Sequence, residues 1–282
     1  FDGKRTSLVE RGINPYLNYQ GEIAANLHGG FNDDNTLRYA DQFALGGYFD
    51  GEKLWGWSNT EARIHTTFGY GRDLTKDRIQ DSRQPMIAAS VQEVWSSLQQ
   101  WRLGSFWIRK YTDDNRWDFK IGKIAEGEDF ASAGCYFQNL ALCGALVGHG
   151  TYIWYNNPRA MWAVRLKYKP SDDWQFQYGV FQHNPSLLTN DERFSFKFSG
   201  GLGFMHLAES HWKTAIGPHQ LAGNYWLGTY LNTADYNDVY YDINHQSQAV
   251  TQDAFYKHSR RQGIYFLFNQ QLIRFGNDNR RG

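Results

Sequence analysis

Two segments of this sequence concentrate the side chains able to do chemistry. Residues 72–97 carry Arg72, Asp73, Arg78, Asp81, Arg83, Glu93 and Trp95. The stretch from 124 to 156 carries Glu126, Glu128, Asp129, Trp154 and Asn156, with Asn157 directly after it. Arg102, in "WRLG", adds one more guanidinium. Guanidinium, carboxylate and amide groups bond to paired hydroxyls, and aromatic rings stack on C–H faces. Glu126, Glu128 and Asp129 admit other readings, as oxygen ligands for calcium or as catalytic carboxylates. Cys135 and Cys143, in "GCYFQNLALC", form a loop disulfide in an oxidising compartment and remain two thiols in a reducing one. Two cysteines with no adjacent histidine do not make a zinc set, and the nine histidines are scattered. No GxSxG-like element and no distinct acid pair stands out, so no catalytic residue, metal or cofactor is assigned, calcium remaining the one alternative.

The elements that position these segments are read from alternation. In "INPYLNYQGEIAANL", Ile13, Pro15, Leu17, Tyr19, Ile23, Ala25 and Leu27 occupy every second position. Asn14, Tyr16, Asn18, Gln20, Glu22 and Asn26 fill the others. This is the period of an extended strand between two different solvents. The pattern returns near 37–50, 60–71, 116–123, 159–168 and 174–183, and more weakly at 101–111, 195–208, 224–232 and 263–273, predicting ten strands. Long connections (72–97, 124–156, 233–255) largely alternate with short ones such as "TDDN" and "PSDD". A meander with loops on one rim and tight turns on the other has this arrangement.

Zero net charge and a pI near 7.3 give no sign of a nucleic-acid partner. No apolar run approaches the roughly 20 residues of a spanning helix. Mean hydropathy is −0.65, yet aromatics reach 17% and glycines number 28. A membrane β-barrel and a soluble all-β domain both accommodate this, since barrel strands are only half apolar. Trp55, Trp57, Trp117, Tyr168 and Trp174 sit at strand ends beside tight turns, where hydrocarbon meets headgroups in a barrel girdle. Glu22, Arg38, Asp50, Glu61, Arg63, Asp118, Lys120, Arg165 and Lys167 share the opposite face. The reading is therefore all-β, a transmembrane antiparallel up-and-down β-barrel with apolar residues facing lipid.

The stretches "ERGINPYLNYQGEIAANLHGGFNDD", "QFALGGYFDGEKLWGW", "QEVWSSLQQWRL", "GKIAEGEDF", "CYFQNLALCG", "VFQHNPS" and "AFYKHS" run the length of the chain. On them, the sequence resembles the carbohydrate-selective porins of the OprB family. The resemblance implies a monomeric, 16-stranded barrel in the Gram-negative outer membrane, passing glucose-type sugars passively. It implies that residues 1–282 form a single barrel domain short of about six strands. It also implies that the long outer loops fold inward to narrow the pore. Glu93 is then the first candidate for a constriction residue, followed by Arg72, Trp154, Arg102, Trp95 and Asn157. The resemblance further implies Arg where this chain has Gly69 and Trp where it has Asn157, a departure of two hydroxyl or ring contacts that bears against a glucose preference here. Partners would be small sugars and outer-membrane lipid, with no nucleic acid. A soluble sugar-binding β-domain and a barrel-borne hydrolase are the competing classes.

Overall fold

The computed structural model describes residues 3–81, 90–94, 100–132, 134–135, 137–145, 147–150 and 154–274. Ten strands form one antiparallel sheet: β1 (Ile13–Asn26), β2 (Thr36–Asp50), β3 (Thr60–Gly71), β4 (Trp101–Tyr111), β5 (Trp117–Ile124), β6 (Met161–Tyr168), β7 (Trp174–His183), β8 (Gly203–Ile216), β9 (Leu221–Asn232) and, past a separate hairpin of β10 (Tyr236–Asp242) and β11 (Phe255–His258), β12 (Arg261–Gln270). Their order is β1-β2-β3-β4-β5-β6-β7-β8-β9-β12, so every strand pairs with its predecessor in the up-and-down manner expected. The hairpin was not anticipated from the sequence. It spans Tyr236 to His258, reaching past the 233–255 region, and its two short strands pair with each other instead of joining the sheet.

The two faces have the polarity of a membrane barrel. Leu17 is 64% exposed, Phe119 43% and Val164 39%, while Glu22 is 6% and Arg165 1% exposed. A soluble barrel buries the first set and hydrates the second. Here the apolar residues point outward and the charged ones inward, the arrangement of strands between lipid and lumen. At the short-turn rim the outer rings form a band. Trp117 stacks on Tyr168 at 4.3 Å, and Trp174 on Trp212 at 5.8 Å. The β2–β3 connection is a one-turn helix, Gly51–Trp55, because the Asp50 side chain accepts from the amides of Glu52 and Lys53 at its start.

One strand differs from its sequence reading. The alternation at 195–208 belongs mostly to a loop, and β8 runs from Gly203 to Ile216. Phe196 packs on Phe106 and Trp162, and its carbonyl accepts from the Trp162 indole. The polarity of β8 is also weak, since Met205 and Leu207 point inward and His206, held by the Tyr178 hydroxyl, points outward. The connection that follows is correspondingly a tight turn at 217–220. The last residues, "FGNDNRRG" (275–282), whose Gly, Asn and Asp read as a turn, lie outside the described residues.

Inward-facing Met205, Leu207, Phe181 and Trp107 have a partner of their own. They join Phe130, Trp154, Tyr230 and Tyr265 in a single apolar cluster. Phe130 and Trp154 belong to the long β5–β6 connection, so that loop folds into the lumen and packs against its wall.

Candidate functional site

The β5–β6 loop is anchored by charge before it is anchored by packing. Its first turn, Glu126–Asp129, rests on a ladder of strand cations. Asp129 pairs with Lys120 at 2.9 Å, and Glu128 with Lys120 at 3.2 Å and Arg63 at 3.3 Å. The Trp107 indole donates to Glu128 at 2.7 Å. The Gln177 amide donates to the Asp129 carbonyl, and the Ala131 amide donates to Glu209. Thus Glu128 and Asp129, weighed above as calcium ligands, already face ammonium and guanidinium groups.

Glu126 is different. It is 1% exposed, and its carboxylate accepts from the Tyr155 amide at 2.7 Å. Burial pushes its carboxyl up to about 8. A carboxyl whose affinity for its proton rises on folding stabilises the fold fully below its unfolded value, and that contribution is lost as pH rises through about 8. Limited proteolysis of the 125–160 loop should therefore speed up between pH 5 and pH 9. E126Q, which keeps an acceptor for the Tyr155 amide, should abolish that dependence. An equal pH effect in E126Q would assign it to other groups.

Further along the same loop, Trp154 is 2% exposed and meets Tyr230 and Tyr265 edge-on at 6.4 and 6.2 Å. Its indole donates to the Asn156 side chain. Tyr155 stacks on His183 at 5.4 Å. The loop thereby fills the lumen beside β7, β9 and β12 and leaves the side next to β1–β3 open.

That open side is a cavity of about 560 Å³. Glu93, Trp154 and Asn157 line it, three of the six sequence candidates. Glu93 is held there by Glu22 of β1, whose carboxylate accepts the amides of Glu93 and Val94 at 2.9 and 3.2 Å. The Gln20 amide bridges Glu22 and Glu93. The second long loop closes on the first through Gln138, which donates to the Ile23 and Val91 carbonyls. Cys135 and Cys143 are disulfide-bonded and lie against the Glu93 carboxylate. Glu93 with these two sulfurs is the one metal-compatible grouping among the described residues. A disulfide offers no thiolate to an ion, so the group does not fit a metal.

The remaining candidates fall elsewhere. Arg102 is buried, and its Nη atoms donate to the carbonyls of Leu187, Leu188 and Thr189, stapling the β7–β8 connection. Arg72 is exposed at the end of β3 and does not line the cavity. Trp95, like Arg83, lies outside the described residues. The cavity also takes in Gln42, Arg63, His65 and Glu128, which were not chosen as site residues. Strand parity did place Arg63 and His65 inward, but it carries no information on which inward residues a loop leaves uncovered. Gly104 lies at a bulge, and both His65 and Asn157 close over it, since a Cβ there would sit 2.7 Å from the imidazole and 2.9 Å from Asn157.

Comparison with known proteins follows the same lines. The family model for the carbohydrate-selective porin, OprB family, matches residues 34–282. Porin B of Pseudomonas aeruginosa is 44% identical over 281 residues, 99% of this chain and 62% of that protein. The putative porin QuiX of Acinetobacter baylyi is 34% identical over 279 residues, 95% of this chain and 63% of that protein. The high-pH structure of Pseudomonas putida OprB superposes with a TM-score of 0.91 at 43% identity, covering 99% of this chain and 66% of that one. The chain spans a little over three fifths of the length of the curated relatives it matches.

Proposed function

Because the chain belongs to the carbohydrate-selective porin OprB family, we propose that it contributes to a water-filled outer-membrane pore for passive diffusion of small neutral sugars. The observation that carries this reading is the cavity between the inward-folded loops and β1–β3. Neutral hydrogen-bonding groups (Asn18, Gln20, Gln42, Asn157) line it beside the carboxylates of Glu93 and Glu128 and the guanidinium of Arg63. Such a lining exchanges hydrogen bonds with sugar hydroxyls that the sugar otherwise makes with water. Each exchange is nearly balanced, which favours a sugar that enters and leaves over one that stays bound. The protein makes and breaks no covalent bond in this role.

In planar bilayers, the intact membrane-inserted protein should conduct ions, and added glucose should lower the current. E93A should weaken that block by roughly three- to tenfold, the loss of one charge-assisted hydrogen bond. A current insensitive to sugar would remove the carbohydrate assignment, and a block unchanged in E93A would remove Glu93 from the constriction. Release of the purified protein from lipid without detergent would favour the soluble sugar-binding class.

A further inference from the structure

Resting on the sugar-porin reading, we propose that Arg63 forms a second sugar-binding step in the pore, nearer the short-turn rim than Glu93, with Tyr16 and Tyr48 as its floor. Arg63 lines the 560 Å³ cavity. Its guanidinium lies over the Tyr48 ring at 5.3 Å and the Tyr16 ring at 5.8 Å. Tyr48 in turn lines a second cavity of about 280 Å³, shared with Asn14, Glu61 and Tyr111 close to the short turns. The two spaces share no lining residue, and the stacked Arg63–Tyr48 pair stands between them, Arg63 lining the loop-side space and Tyr48 the turn-side one.

The group is built for directed hydrogen bonding. Arg63 Nε donates to the Tyr16 hydroxyl at 3.1 Å, and Nη1 pairs with Glu128 at 3.3 Å. The Tyr16 hydroxyl also shares a hydrogen bond with His65 Nδ1 at 2.9 Å. Tyr16 reaches across β2 only because residue 46 is glycine, since a Cβ there would fall 2.5 Å from the phenol oxygen. A guanidinium fixed on one edge and backed by rings loses little freedom when it binds a further acceptor. With Nε and Nη1 engaged, Nη2 has no recorded acceptor among the described residues, and it can donate to a sugar hydroxyl. The partly exposed rings beside it offer apolar surface to a pyranose C–H face. Neighbouring Glu128 balances the charge, so the step suits a neutral polyol and not a sugar acid.

The test is glucose block of ion current through single pores of the intact protein in planar bilayers. R63Q should weaken block about tenfold, R63K should recover part of it, and single-pore conductance should stay at or above the wild-type value. Y48L leaves the Arg63–Glu128 pair in place and should weaken block about threefold, which keeps the proposal testable if R63Q does not insert. Block equal to wild type in Y48L and in every inserted Arg63 variant overturns the assignment of Arg63 alone. Absence of block in the wild-type pore overturns the sugar-porin reading itself.

Discussion

Replacing Asp118 by Ala should destabilise the barrel by about 3–5 kcal/mol, the cost of stranding a buried ion-pair partner. Asp118 is 4% exposed and sits between two guanidinium groups. Arg109 donates Nη2 and Nε to one carboxylate oxygen at 2.8 and 3.0 Å. Arg165 Nη1 lies 2.9 Å from the other and donates to the Asp118 carbonyl at 3.1 Å. Arg109 is a third exposed and can turn toward lumen water. Arg165, at 1%, cannot. In D118A its nearest carboxylate is Asp129 at 3.7 Å, which Lys120 already claims. The β5–β6 loop rests on Asp129, so part of the loss should appear as loosening of that loop. Urea unfolding of the protein in lipid vesicles, followed by tryptophan fluorescence, measures the difference. A loss below about 1 kcal/mol would mean that lumen water screens these charges as it does at an open surface.

The second large effect lies on the other face. Val164→Arg should lower the stability of the membrane-inserted barrel by about 2–4 kcal/mol, the value for a cation near the bilayer midplane. Val164 is exposed on the outer face, about 13 Å along β6 from the girdle residue Tyr168 at the strand's end. Across the register it meets Ile121 of β5 and Val180 of β7. In water, arginine at an exposed strand position is close to neutral in energy. In hydrocarbon, its guanidinium must snorkel to the headgroups or carry water in with it. Val164→Leu, apolar and larger, is the control. Vesicle-based unfolding of the two variants should differ by the arginine cost alone. Equal stabilities would place this face in water and reverse the barrel.

Strand parity was legible because alternation is a property of the chain alone. Leu17 against Asn18 and Phe119 against Lys120 differ in hydration free energy whatever surrounds them, and a period of two converts that difference into two faces. Nine of the sheet's ten strands, all but β8, therefore begin and end within a few residues of their sequence reading. Parity loses its signal where the inner face stops meeting water. Met205 and Leu207 point into the lumen but pack on the folded-in loop, which is why β8 was misplaced. Arg102 shows the same limit on the polar side. An inward arginine beside the pore reads as a ligand for solute, but three carbonyls of the β7–β8 connection already occupy its nitrogens.

The sequence by itself determined the number of strands in the main sheet, the rim that carries the long loops and which face of each strand is apolar, since each follows from short-range patterning. Only the tertiary structure decided which part of the lumen stays open and which polar residues line it. Those outcomes depend on partners far apart in the chain, such as Glu22 holding the amide of Glu93, Tyr265 donating to Glu209 and Arg63 pairing with Glu128. Local periodicity holds no record of contacts between residues so distant. They form when loop carboxylates and rings find charged and apolar partners on a wall the strands have already built.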